Sequence, residues 1–114
     1  TMIGEYPVDI KTFKFRVSLS TTFVYNGLFK AAMNEGATYF FALHDDTEFY
    51  PTANRYWSDV LTSSLADNAL RKNFGVAGPL DMRSPKMITH LFVHCKTHQE
   101  IFGELYPMKL SNTE

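Results

Sequence analysis

The spacing of apolar residues along the chain predicts four β-strands. Residues 10–19 alternate between apolar and polar side chains, which is typical of a half-buried strand. The run 39–43 is short, apolar and rich in aromatic side chains, so it indicates a buried strand. Two further apolar runs, separated by a polar loop that contains proline, predict strands at residues 74–78 and 87–94.

Three segments have the spacing of amphipathic helices, and they cover residues 23–35, 54–68 and 97–102. The apolar face of the first carries Val24, Leu28, Ala31 and Ala32, and that of the second carries Trp57, Leu61, Ser64 and Leu65. Residues 20–22 supply an N-cap for the first helix, and Gly36 fits the left-handed position beyond its end. A capping-box pattern beginning at Thr97 opens the third helix, which Gly103 ends.

The order of these elements predicts the fold class. Strands and helices alternate, which is the pattern of a mixed, mostly parallel α/β sheet flanked by helices. The length of 114 residues suits one domain, and we find no internal repeat and no boundary, so residues 1–114 are treated as a single unit.

Charge and composition narrow the range of partners. The formal net charge is −1, which gives no field that would attract nucleic acid or a membrane surface. No apolar run approaches the length of a membrane span, and no signal-peptide pattern is present. Cys95 is the only cysteine, so an intrachain disulfide is excluded, and we expect this thiol to be buried or only partly exposed.

Two adjacent carboxylates, Asp45 and Asp46, directly follow the buried strand 39–43. Ligands of open α/β sheets bind at the carboxyl ends of the strands. Two neighbouring carboxylates repel each other, and a hard divalent cation that also binds a phosphate would relieve that repulsion. The pattern therefore predicts a metal-assisted nucleotide site. The alternative is a solvated loop in which Asp45 caps a turn, with Glu48 as a plain surface charge.

Two other groups of residues could contribute to chemistry. Gly78 lies at a strand end, where a backbone without a side chain would let a ligand approach, and Asp81 follows it. A tight turn that Asp81 caps is the alternative. The histidines His90, His94 and His98 recur every four residues, and His94 stands at a strand end, where an imidazole could be a late ligand for Mn²⁺. Packing or hydrogen bonding is the alternative for each of them.

The chain resembles the centre of a GT-A type glycosyltransferase over residues 25–112, and in particular a group of eukaryotic glycosyltransferase-like proteins. In that family a helix leads into a strand that ends in an acidic triplet, which here is His44-Asp45-Asp46. The residues that carry the resemblance are Asn26 to Phe29, Ala32, Gly36 to Phe40, His44 to Phe49, Trp57, Leu61, Leu65, Asn73 to Asp81, Thr89, His90, Phe92 to His94, His98 to Gly103, Tyr106 and Pro107.

The resemblance implies transfer of a hexosyl or N-acetylhexosaminyl group from a nucleotide sugar, most simply a UDP-sugar, to a hydroxyl of a glycan or protein acceptor. A Mn²⁺ or Mg²⁺ ion would bridge the donor diphosphate and stabilise charge on the leaving group. Asp46 would bind the metal, Asp45 and Gly78 would contact the donor, and His94 or His98 would be the later ligand. The candidate catalytic carboxylates are Asp81 and Glu100.

A complete domain of this family is about twice as long, so the resemblance implies an incomplete domain that lacks much of the nucleotide-binding half. The sequence itself gives no localisation, and the resemblance implies the secretory pathway (Golgi lumen), where most related enzymes work. Two alternatives stay open. One is a non-catalytic binding or oligomerising module on a truncated transferase fold, because a sheet cut from its neighbours exposes strand edges. The other is a small metal-dependent hydrolase that uses Asp45, Asp46 and the histidines.

Overall fold

The computed structural model describes residues 2–3, 6–16, 20–50 and 55–106. In chain order, their strands and helices are β1 (Met2–Ile3), β2 (Tyr6–Pro7), α1 (Thr21–Asn34), β3 (Tyr39–Phe41), α2 (Trp57–Ala66), β4 (Phe92–His94) and α3 (Cys95–Phe102). Strand β1 pairs with β2, and β3 pairs with β4. No helix in these ranges is long and apolar enough to cross a membrane.

The centre of the molecule is the antiparallel pair β3–β4, in which Tyr39 is opposite His94 and Phe41 is opposite Phe92. The pairing continues past both ends of β3. The Cys95 amide donates to the Thr38 carbonyl, and the Ala42 amide donates to the Leu91 carbonyl, each at 2.9 Å. We refer to this pair of strands as the β3–β4 ribbon.

Alternate residues of the ribbon point to opposite faces, and each face carries its own apolar cluster. Phe40 and Val93 lie on the first face, in a cluster built around buried Phe29, Cys95 and Leu105. The second face carries Tyr39, Phe41 and buried Phe92, which pack against Leu61 and Leu65 of helix α2. The ribbon is therefore sandwiched between α1 with α3 on one side and α2 on the other. Cys95 is 1% exposed, so it is the buried one of the two states, buried or partly exposed, that the sequence leads us to expect.

Helix α1 confirms the prediction of a helix at 23–35, including its ends. The Ser20 side chain accepts a hydrogen bond from the Phe23 amide at 3.2 Å, and Gly36 has φ +83°. The predicted apolar face was wrong. The residue buried against the ribbon is Phe29, with Tyr25 and Met33 one turn before and after it. These larger side chains reach the core, whereas Leu28, Ala31 and Ala32 line an open cavity beside β3.

Helices α2 and α3 also lie where helices were predicted. Helix α2 buries Leu61 and Leu65, as its apolar spacing indicates. Helix α3 ends at Gly103, which has φ +81°, but its predicted start at Thr97 was wrong. The helix begins at Cys95 because the His94 imidazole accepts a hydrogen bond from the Thr97 amide and so acts as the N-cap.

The predicted strands are shorter in the structure, or are missing from it. Residues 10–16 form no strand. The segment lies along α1 instead, where the Phe15 ring packs beside Gly27 and Lys11 forms an exposed ion pair with the C-cap residue Glu35 at 3.4 Å. Residues 17–19 lie outside the described ranges. The strand predicted at 74–78 is reduced to one bridge between Ala77 and Phe92, and the one predicted at 87–94 is reduced to β4.

The strand pairs in the described ranges are antiparallel, whereas the alternation of strands and helices predicts a mostly parallel sheet. Order along the chain does not fix strand direction, because a long loop after a helix can return the chain in either sense. Here residues 67–91, mostly turns and bends, lead from α2 back to β4. The mixed α/β sheet of GT-A type stays a prediction.

Candidate functional site

The two predicted carboxylates lie in a tight turn just beyond β3. The Thr47 amide donates to the His44 carbonyl at 3.2 Å and closes this turn, residues 44–47, which we call the acidic turn. Asp45 and Asp46 are both exposed, and neither has a hydrogen bond or ion pair in the described part of the chain. The next carboxylate, Glu48, accepts a hydrogen bond from the Tyr50 hydroxyl at 3.0 Å. Asp45 and Asp46 are therefore available to a cation.

Two ring side chains, those of Tyr25 and His90, contact the His44 ring of the acidic turn. The Tyr25 hydroxyl donates to the Leu43 carbonyl at 3.1 Å and lies 3.4 Å from Nδ1 of His44. On its other side, the His44 ring contacts the His90 ring, with 5.0 Å between the ring centroids. We call His44 and His90 the histidine pair. The sequence singles out His90 only for its spacing from His94, and the strand register that brings it to His44 has no signal in the sequence.

Asp81 and Gly78 belong to the loop that leads to His90. The Asp81 carboxylate accepts hydrogen bonds from the Thr89 hydroxyl at 2.6 Å and from the Arg83 amide at 2.9 Å. The Thr89 hydrogen bond is the main reason why the pKa of Asp81 lies below its usual value, and the Arg83 amide adds to the effect. A Cβ atom on Gly78 would be 2.6 Å from Ile88 Cγ2 and 2.8 Å from the His90 carbonyl oxygen. Gly78 is therefore a packing position within the loop, in close contact with Ile88 and the His90 backbone.

The other two predicted metal ligands are occupied by the protein itself. His94 Nδ1 accepts a hydrogen bond from the Thr97 amide at 3.3 Å and lies 3.0 Å from the Thr97 hydroxyl. His98 is 5% exposed, and its Nε2 donates to the Leu105 carbonyl at 3.1 Å. Its Nδ1 is buried and has no hydrogen-bond partner among the residues that the structure describes, and its ring contacts those of Phe29 and Phe102.

The fold also keeps His94 away from the acidic turn. His94 is opposite Tyr39 at the start of β3, whereas the acidic turn lies beyond the end of β3 at Phe41. The last predicted residue, Glu100, lies on helix α3 and forms an exposed ion pair with Arg71 at 3.2 Å. Of the predicted site residues, Asp45 and Asp46 lie together, and Asp81 is linked to the loop residue that precedes His90 by its hydrogen bond with Thr89.

The side chains at the acidic turn offer few metal ligands, so they allow only some kinds of metal binding. Within the described ranges, no three side chains of His, Cys, Asp or Glu converge on one point that could hold an ion. Mg²⁺, however, is usually bound by one or two carboxylates together with substrate phosphates and water. Asp45 and Asp46 fit that mode, whereas a closed site made of protein ligands alone would need more donors.

An open cavity of about 580 Å³ extends along β3 from the acidic turn. Its walls are helix α1, the segment 9–13 and the outer edge of β3, including Tyr25, Phe40 and Leu43. Its volume falls in the range of about 300–1,000 Å³ that small-molecule sites commonly have.

No protein-family model matches the chain, and comparison with curated proteins and with solved structures gives no match either.

Proposed function

We propose that this chain is the core segment of a metal-dependent glycosyltransferase that takes its sugar from a nucleotide-diphosphate donor, with a UDP-sugar as the first candidate and a glycan or protein hydroxyl as acceptor. The observation that carries the proposal is the acidic turn. Asp45 and Asp46 are adjacent, exposed and without partners in the described part of the chain, directly beyond a strand of the core. Two such carboxylates favour a divalent cation.

Asp46 and Asp45 would hold Mn²⁺ or Mg²⁺ together with the donor diphosphate. When bound, the ion would stabilise negative charge on the departing nucleoside diphosphate. His94 and His98 are poor candidates for further ligands, since the ring nitrogens that form the hydrogen bonds described above are already in use. Oxygen ligands from phosphate and water would fill the remaining positions, which is the usual arrangement for Mg²⁺.

The cavity beside β3 would accept the nucleoside half of the donor. It begins next to Leu43 and Tyr25, close to the acidic turn, and its walls are mostly apolar, with charged side chains from Asp9, Lys11 and Glu35. An apolar cleft with a few polar groups at one end is the common form of a small-molecule site. A diphosphate at the acidic turn would thus lie at the mouth of the cavity.

Of the two proposed catalytic carboxylates, Asp81 is the better candidate. It lies beside His90, and therefore near the histidine pair, whereas the carboxylate of Glu100 is paired with Arg71. The lowered pKa of Asp81 keeps it ionised, as a proton acceptor must be, but also makes it a weak base.

Titration calorimetry of UDP into the folded chain, first with Mn²⁺ and then with a chelator, tests the proposal. We expect binding that requires the metal and that weakens at least about tenfold in Asp46→Asn, because a direct metal ligand is lost. Glu48→Gln is the matched control, since it removes one negative charge two residues away from a carboxylate that Tyr50 already holds. Absence of UDP binding, or equal binding by Asp46→Asn and the wild type, would contradict the proposal.

A second candidate function is a non-catalytic binding or oligomerising module. The feature that favours it is the outer edge of β3, which pairs with no other strand in the described ranges. An unpaired strand edge is a template for pairing with another chain. Metal-independent self-association without UDP binding would be the mark of this function.

A further inference from the structure

The separation of the two rings of the histidine pair is compatible with a shared metal ion. Their centroids are 5.0 Å apart and their planes are inclined by 61°. With Zn–N bonds of about 2.0–2.1 Å and a tetrahedral angle at the metal, two imidazoles on one zinc ion have centroids about 5 Å apart. Rotation of the two side chains would bring a nitrogen of each ring to the same ion without moving the rings apart.

The contacts of Tyr25 suit a His44 tautomer whose Nε2 is free to bind a metal. The Tyr25 hydroxyl donates to the Leu43 carbonyl at 3.1 Å, and its oxygen lies 3.4 Å from Nδ1 of His44. With the hydroxyl proton on that carbonyl, the tautomer that satisfies the second contact carries its proton on Nδ1 and has its lone pair on Nε2. Metal-binding histidines commonly donate their second ring N–H in this way, and the donation sets both the tautomer and the ring orientation.

His90 supplies the second nitrogen. Its Nδ1 atom is buried and has no hydrogen-bond partner within the described ranges. Buried polar atoms in proteins nearly always have a partner, so an unpartnered nitrogen in a ring that contacts another imidazole needs an explanation. A bound cation would supply the missing partner, and the nearby negative charge of Asp81 favours a cation at this place.

We propose that His44, through Nε2, and His90, through Nδ1, bind one late transition-metal ion such as Zn²⁺, with water in the remaining positions. The proposal does not rest on the glycosyltransferase function. Imidazole nitrogen selects zinc and its neighbours among the divalent metals, whereas the carboxylates of the acidic turn suit Mg²⁺ or Mn²⁺. The two sites are adjacent along the chain, and they differ in the metals that they prefer.

Titration of the metal-free, untagged full chain with Zn²⁺ by calorimetry, and with Co²⁺ by visible absorption, tests this site without any nucleotide. We expect one ion per chain, and at least about tenfold weaker binding in His44→Gln and in His90→Gln, because each variant removes one ligand. His44 is exposed, so His44→Gln should fold even if the half-buried His90 proves sensitive to change.

Two control variants separate this site from others. His94→Asn removes a histidine while keeping a residue that caps helices well, and Glu48→Gln removes a carboxylate that the Tyr50 hydroxyl already holds. Both should bind Zn²⁺ as the wild type does. Three results would overturn the proposal: no Zn²⁺ or Co²⁺ binding, undiminished binding by His44→Gln, or a loss in His94→Asn as large as that in His44→Gln. None of them depends on whether UDP binds.

Discussion

Gly78 connects the packing of the molecule to the histidine pair. It follows Ala77, whose amide and carbonyl both hydrogen-bond to Phe92 of the ribbon. A side chain at position 78 would press against Ile88 and against the carbonyl of His90. The sequence suggests a glycine that leaves room for a ligand, whereas the structure gives it a packing role that sets the position of the His90 backbone.

We expect Gly78→Ala to destabilise the protein by about 1–3 kcal/mol, the usual cost of adding a methyl group to a filled site. The nearest atoms are 2.6 Å and 2.8 Å from the new Cβ, so the loop must shift. Urea denaturation followed by circular dichroism measures the change in the free energy of unfolding.

The double variant Gly78→Ala with Ile88→Ala shows where this cost arises. Ile88→Ala removes the Cγ2 contact but leaves the contact with the His90 carbonyl, so the double variant should recover only part of the stability lost through Gly78→Ala. A Gly78→Ala protein as stable as the wild type would mean that position 78 has free space.

At the scale of single residues, the sequence predicts part of the candidate site. An apolar run followed by Asp45 and Asp46 is a local pattern, so the exposed acidic turn could be foreseen. The contact between His44 and His90 depends on which residues of two distant strands face each other. Register is set by the packing of both faces of the ribbon, and no local pattern encodes it.

At the scale of elements, His94 illustrates how a side chain taken for a ligand serves the backbone instead. Its imidazole accepts the hydrogen bond of the Thr97 amide and so begins helix α3 two residues earlier than the capping box predicts. Burial is the main reason why the pKa of His94 lies below its ordinary value of 6.5, and the charge of Lys96 lowers it further. The neutral form is the one that can accept the hydrogen bond.

This lowered pKa predicts a pH dependence of stability. The unfolded chain binds a proton to His94 more readily than the folded chain does, so the contribution of this group is complete above pH 6.5 and is lost as the pH falls through the folded pKa. Wild-type protein should therefore lose more unfolding free energy between pH 7.5 and 5.5, about one pH unit either side of the free imidazole value, than His94→Asn does.

Asn at position 94 keeps the cap but does not titrate in this range, so the difference between the two proteins isolates the imidazole. Proton NMR titration of the His94 ring gives the folded pKa directly. An NMR pKa at or above 6.5, together with equal pH dependence in the two proteins, would contradict this account of the helix start.

At the scale of the whole molecule, the ribbon divides a modest core into two clusters. Large apolar side chains stay exposed around it, including Phe13, Phe49, Tyr50 and Trp57.

The helices could be predicted because their periodicity and end signals are local. The direction and neighbours of the strands could not, because they depend on contacts between distant parts of the chain.

The outer edge of β3 leads to a prediction about assembly. In an antiparallel pair, alternate residues direct their amides to the partner strand. In β3 and its continuation, the backbone hydrogen bonds to the partner strand are made by the Thr38 carbonyl and the Ala42 amide. The backbone groups of Tyr39 and Phe41 therefore point to the outer edge, where no strand of the described ranges covers them. Exposed apolar side chains and an unpaired edge both favour association.

We therefore expect the chain to self-associate as its concentration rises, with the β3 edge in the interface. Sedimentation equilibrium should show a mass that increases with concentration, and hydrogen exchange should show the Tyr39 and Phe41 amides becoming protected at the same time. The Ala42 amide is the internal control, because it already donates to Leu91 and should be protected at every concentration. A mass that stays monomeric at high concentration would contradict the assembly. Association without protection of the Tyr39 and Phe41 amides would show that the interface lies on another surface of the molecule. The exposed aromatic side chains would then be the first residues to replace by mutagenesis.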